Sequence, residues 1–109
     1  MADTYKVLGQ SAPGAASLTT LYTVPALTSV VGSSITICNR SATPTAFRIA
    51  IRPAGAAISN EHYIAFDVPI GANESLAYTL GFTLATTDVV SVYNTLATVS
   101  FSLFGVEKT

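Results

Sequence analysis

The chain has 109 residues, enough for one domain over residues 1–109 built round one core. It is 50% hydrophobic and only 10% charged, with five basic and six acidic side chains giving a formal net charge of −1. Scattered basic residues exclude the clustered cationic footprint of nucleic-acid binding, a single Cys excludes an internal disulfide, and no apolar run approaches the roughly 20 residues of a membrane span.

The segment from Met1 to Lys6 holds no apolar run of the kind that opens a signal peptide, so folding in a cytoplasm is expected. Tyr5–Leu8 reads as a first short strand, closed by a turn from Ser11 to Ala15 that contains Pro13 and Gly14. Thr20–Val24 follows, stopped by Pro25. Ile35 and Ile37 alternate with Thr36 and Cys38, and Asn39 to Thr45 turns round Pro44. Phe47, Ile49 and Ile51 alternate with Arg48, Ala50 and Arg52 up to Pro53. Ala54 to His62 has room for one helical turn and is too short and too rich in Gly and Ala for more. Ile64, Phe66, Val68 and Ile70 alternate with Tyr63, Ala65 and Asp67, which places the first set inward and Asp67 outward.

After the turn from Pro69 to Asn73, Leu76, Tyr78, Leu80, Phe82 and Leu84 alternate with small residues and predict one long strand against the core. Thr86 to Asp88 turns into Val89–Tyr93, and Val99, Phe101 and Leu103 alternate with Ser100 and Ser102 in the last strand. About eight strands at roughly 8–14-residue spacing predict an all-β fold. It is a single antiparallel β-sandwich, immunoglobulin-like or jelly-roll-like, or a small barrel. Its expected core is Phe47, Ile49, Ile51, Phe66, Val68, Leu76, Leu80, Phe82, Phe101 and Leu103.

No constellation for catalysis, cofactor binding or metal binding stands out. Ser59, His62 and Asp67 are the residue types of a nucleophilic triad, but their spacing on one loop and one strand gives no reason to converge. His62 is therefore expected as an exposed loop residue or a hydrogen-bonded interface contact. Glu61 and Asp67 are not spaced to flank a substrate, and one His and one Cys on separate strands do not supply metal ligands. Cys38 reads as a small, partly buried apolar side chain. Two glycosylation sequons, at Asn39 and Asn73, are chance matches where no secretory signal is read.

The outward positions of the strands are filled by Ser, Thr, Ala and Gly, where an ordinary soluble domain carries charge on about a quarter of its residues. Such faces and edges are expected to be covered by other subunits. Arg48 and Arg52, four apart on one outward face, are the candidate subunit contact, with carboxylates of a neighbour as partners. The alternative is an intramolecular pair with Asp67 or Glu61.

Six segments spread over nearly the whole chain resemble a family of small β-rich virion structural proteins of tailed bacteriophages, cyanophages among them. They are Tyr5-Lys-Val-Leu-Gly-Gln10, Thr20-Leu-Tyr-Thr-Val-Pro25, Ser34-Ile-Thr-Ile-Cys-Asn-Arg40, Phe47-Arg-Ile-Ala-Ile-Arg-Pro-Ala-Gly55, Glu61-His-Tyr-Ile-Ala-Phe-Asp67 and Thr83-Leu-Ala-Thr-Thr-Asp-Val-Val90. The resemblance implies a non-enzymatic part of the phage particle, folded in the host cytoplasm and located in the virion, without cofactor. Its leading form is a capsid decoration (cement) protein that oligomerises, a trimer being favoured, and braces the major capsid protein. The alternative is a tail, baseplate or fibre component, with host-surface carbohydrate as a further ligand.

Overall fold

A computed structural model describes residues 2–109. Nine strands among the described residues form two antiparallel sheets: β1 (Asp3–Ser11), β2 (Thr19–Thr23), β3 (Ser29–Asn39), β4 (Thr45–Arg52), β5 (Tyr63–Ile70), β6 (Ser75–Tyr78), β7 (Thr83–Leu84), β8 (Val89–Asn94) and β9 (Val99–Lys108). One sheet has the order β1-β9-β3-β6, with β7 also paired to β3; the other has the order β2-β8-β4-β5. Packed face to face they make a small β-sandwich, the all-β fold predicted, with separate sheets rather than a closed barrel.

Strict alternation builds the centre of both sheets. Val99, Phe101 and Leu103 of β9 stand opposite Asn39, Ile37 and Ile35 of β3, and all six are buried. Phe47 and Ile49 of β4 oppose Asn94 and Val92 of β8 in the other sheet and are likewise buried. The sheets meet at Phe47, whose ring lies 6.2 Å from Phe101 in an edge-on arrangement and 6.2 Å from Tyr78.

Two strands depart from the pattern expected of them. In β5 the register against β4 runs Val68 opposite Phe47 and then Ala65 opposite Ile49, so Phe66 and Asp67 together face Arg48. This is a β-bulge, and Asp67 sits at φ 50°, in the left-handed region. An extra residue inverts the alternation: Ala65 goes inward, while Ile64 and Phe66 turn outward, 45% and 54% exposed. The second departure is the long strand expected from Leu76 to Leu84, which is broken into β6 and β7 at Gly81, φ 61°. Leu80 is thereby released to solvent at 54% exposure. Phe82 folds back over Gly32 of β3, accepting the Gly32 N–H at 2.8 Å and placing its ring where a Cβ would stand. Of the expected core, Phe47, Ile49, Phe101 and Leu103 are fully buried, and Ile51, Val68, Leu76 and Phe82 pack against it half-buried. Phe66 and Leu80 are excluded.

The segment expected to hold one helical turn holds two single 3₁₀ turns, Pro53–Gly55 and Asn60–His62. Two buried asparagines close one end of the sandwich. Asn39 donates its amide to the carbonyls of Thr43 and Gly71, at 2.9 and 3.0 Å, and accepts the Ser41 N–H. Asn94 donates to the Gly14 carbonyl at 3.0 Å and accepts the Val99 N–H. With its amide committed and 1% exposed, Asn39 cannot serve as a glycan acceptor.

Candidate functional site: an arginine–aromatic cluster on the four-stranded sheet

Residues opposite one another in register share a face. The outer face of the four-stranded sheet therefore carries Tyr63, Ala50 and Ser91 in one row, Arg48 and Tyr93 in the next, and Arg52 and Val89 in another. Arg48 and Arg52 do point to one non-core face. The β5 bulge adds Phe66 and Asp67 beside Arg48.

Arg48 is held on all sides. Its Nε and Nη2 donate to the two carboxylate oxygens of Asp67 at 2.6 and 3.3 Å, a bidentate fork. Its guanidinium carbon lies 4.1 Å from the Phe66 ring centre and 4.3 Å from that of Tyr93, so the cation is sandwiched between two aromatic rings. Tyr63 meets Phe66 edge-on at 4.8 Å. The Asp67 hydrogen bond holds the Arg48 guanidinium above even its usual pKa, with lesser support from Tyr63 and Tyr93. Arg52 is engaged differently: it donates to the carbonyls of Ala56 and Gly55, at 2.8 and 3.2 Å, and to the Ser91 hydroxyl at 3.2 Å. It thereby ties the Pro53–Gly55 turn to the sheet. The intramolecular pair considered from the sequence exists for Arg48, with Asp67 as partner. Arg52 binds backbone carbonyls and a hydroxyl.

An open depression of about 370 Å³ lies beside the cluster, lined by Asn60, Tyr63 and Phe66. A second, about 470 Å³ and more open, lies at the end of the sandwich among Leu27, Thr28, Ser29, Thr86, Lys108 and Thr109. Among the described residues no three His, Cys, Asp or Glu side chains gather round a metal-sized point, and no helix is long and apolar enough to cross a membrane.

His62 is buried, 9% exposed, contrary to the exposed position expected from its loop. The reason is local: it closes a capping box on the Asn60–His62 turn. Its Nδ1 accepts the Ser59 N–H at 3.2 Å, and the Ser59 hydroxyl receives the His62 N–H in return. Ser59 and His62 are thus brought together as a cap, whereas Asp67 is bound by Arg48. Glu61, 76% exposed, stands 3.9 Å from His62 Nε2. Its carboxyl is held below the usual range by its own backbone N–H and by Ser59. Cys38 is half-buried on β3 between Ser75 and Ser100.

Phe66, Tyr63 and Tyr93 are the members of this cluster that alternation does not single out. Tyr93 is foreshadowed by its place two after Ser91 in a strand with Val90 and Val92 inward. Phe66 carries no comparable signal, because the bulge is unmarked by Gly or Pro; only the tolerance of Asp for left-handed geometry hints at Asp67. Neither a protein-family model nor a curated protein matches the chain.

Proposed function

We propose that the chain is a non-enzymatic structural component of a tailed-phage particle, a capsid decoration protein that oligomerises and braces neighbouring capsid subunits. The observation that carries an assembly role is Phe66. A bulge with a non-glycine residue at positive φ turns a large aromatic side chain out of the core, 54% exposed, onto the outer face beside Arg48 and Asp67. Leaving a Phe half exposed forgoes about half of the roughly 1.5–3 kcal/mol that full burial supplies. Left-handed geometry costs most L-residues a further 1–2 kcal/mol or so, less for Asp. That expense suits a ring whose burial comes from a partner. Arginine and aromatic side chains are also the types that dominate binding energy at protein interfaces. The phage context rests on the six resembling segments, and bracing follows from mass action, since a protein that binds only the assembled lattice stabilises that state.

In this role the Arg48–Phe66–Tyr93 cluster is a rigid contact surface facing the major capsid protein, and Arg52 flanks it. Phe66→Ala leaves the core untouched, so it should fold with a melting temperature close to wild type yet lose binding to heads that lack the protein. Retained binding at wild-type strength would remove the cluster from the contact. A second role, as a tail or fibre component that holds host-surface carbohydrate, is favoured by the depression beside Phe66. Its lining by an amide and two aromatic rings suits a sugar ring. Binding to tails or host cells and not to heads would select it.

A further inference from the structure

The five-stranded sheet has an outer face as well, and it is divided along the strands. One row across it is Asp3, Lys108 and Ser29. The next rows are Tyr5–Val106–Val31 and Val7–Phe104–Ser34. Beyond the β1 bulge come Gln10–Ser102–Thr36–Ala77 and then Ser100–Cys38–Ser75. Five apolar side chains thus form one patch on three adjacent strands. Tyr5 is 79% exposed, Val7 46% and Val31 37%, while Phe104 and Val106 are half-buried. On the far side of the patch from Asp3 and Lys108 the face is uncharged.

We infer that this face is covered by another copy of the chain. Three features favour a copy over an unrelated partner. Among the described residues, the charged side chains in the rows of this face are Asp3 and Lys108, one of each sign and paired at 3.3 Å, so two such faces meet without net repulsion. The area is adequate. Three strands of nine to eleven residues and the four-residue β6, about 4.8 Å apart and about 3.3 Å per residue, give a face of about 540 Å². Two such faces remove about 1,100 Å² from water, above the roughly 1,000 Å² that a specific interface needs. Finally, the face is a sheet of small and branched side chains, the surface that packs on another sheet in β-sandwiches. This surface lies on the opposite side of the molecule from the Arg48 cluster, so a chain using both joins its own kind on one side and a different partner on the other. The inference rests on the oligomerisation in the proposed function and names the face that carries it.

The test is sedimentation velocity with light scattering on the full chain from about 1 to 100 µM, with circular dichroism and melting as fold controls. Wild type should be a dimer or trimer. Tyr5→Lys, at an exposed position, should weaken association at least tenfold, and Tyr5→Lys with Val106→Lys should give a folded monomer. Arg48→Glu with Arg52→Glu should leave the oligomer intact. A wild type that stays monomeric at 100 µM overturns the inference whether or not it binds heads. An oligomer that survives both lysine substitutions but dissolves with the arginine pair overturns it too, by moving the self-contact to the other face. An oligomer that fails to bind any phage part leaves the inference standing and sinks the proposed function instead.

Discussion

Gly9 and Gly32 are both needed for close approach, but against different neighbours. A Cβ on Gly32 would lie 2.3 Å from the Phe82 ring, whereas one on Gly9 would lie 2.3 Å from the Leu21 carbonyl oxygen. The ring can swing outward; the β2 backbone cannot. Gly32→Ala should therefore cost about 1–3 kcal/mol, and most of that should vanish in a Phe82→Ala background. Gly9→Ala should cost at least as much and show no such relief. Denaturant titration of the three single and two double variants checks this, and an unrelieved Gly32→Ala would show that Phe82 does not occupy that space. Phe101→Ala, which empties a site 1% exposed, should cost about 3–5 kcal/mol. Asn94→Ala leaves the Val99 N–H and the Gly14 carbonyl without their partner and should cost about 1–3 kcal/mol for each group left unsatisfied. A loss under 0.5 kcal/mol, or roughly that, would mean water replaces the amide.

Between elements, the most informative link is a chain of hydrogen bonds from β2 through β9 to β1. The Tyr22 hydroxyl donates to Glu107 Oε2 at 2.5 Å, and Lys6 Nζ donates to Glu107 Oε1 at 3.2 Å. The Tyr22 hydrogen bond first, and Lys6 after it, hold the Glu107 carboxyl below the usual carboxylate range. Burial first, and Glu107 second, push the Tyr22 phenol well above its ordinary value of about 10. With its native pKa depressed, Glu107 contributes stability that is present above about pH 4.3 and lost as pH falls through the lower native value. With its native pKa raised, Tyr22 contributes stability that is complete below about pH 10 and lost as pH climbs beyond it. Tyr22→Phe should flatten both limbs of the melting-temperature profile relative to wild type. Parallel profiles for the two proteins would mean that the contact is not linked to folding.

At this same scale the sequence was legible where alternation runs unbroken. The inward sets of β4 and β9 are those that Phe47, Ile49, Phe101 and Leu103 announce, and even the weakly patterned Tyr5–Leu8 and Val89–Tyr93 are strands. It was misleading where one residue changes phase. Ile64 to Ile70 reads as a perfect inward set, yet the bulge at Phe66 and Asp67 sends its first half outward, and no Gly or Pro marks the bulge. The run from Leu76 to Leu84 reads as one strand because apolar spacing is preserved across Gly81 while the backbone is not. His62 was misplaced because its burial follows from a cap with Ser59, a contact over three residues that periodicity does not record. Of the candidate site, Arg48 and Arg52 follow from register alone; Phe66 needed the fold.

For the molecule as a whole, two outward faces stand in place of a charged surface. One is an arginine sandwiched by aromatic rings on β4, β5 and β8, the other an apolar patch on β1, β9 and β3. Charge normally keeps β domains apart and blunts their edges, and with 10% charged residues this chain has little to use. The direct measurement is co-sedimentation of the purified chain with phage heads that lack it, alongside the copy number per particle. The account predicts saturable binding at hundreds of copies, lost in Phe66→Ala and kept in a folded Phe101→Leu control. A wild-type chain that stays in the supernatant with heads but pellets with tails or host cells would contradict it.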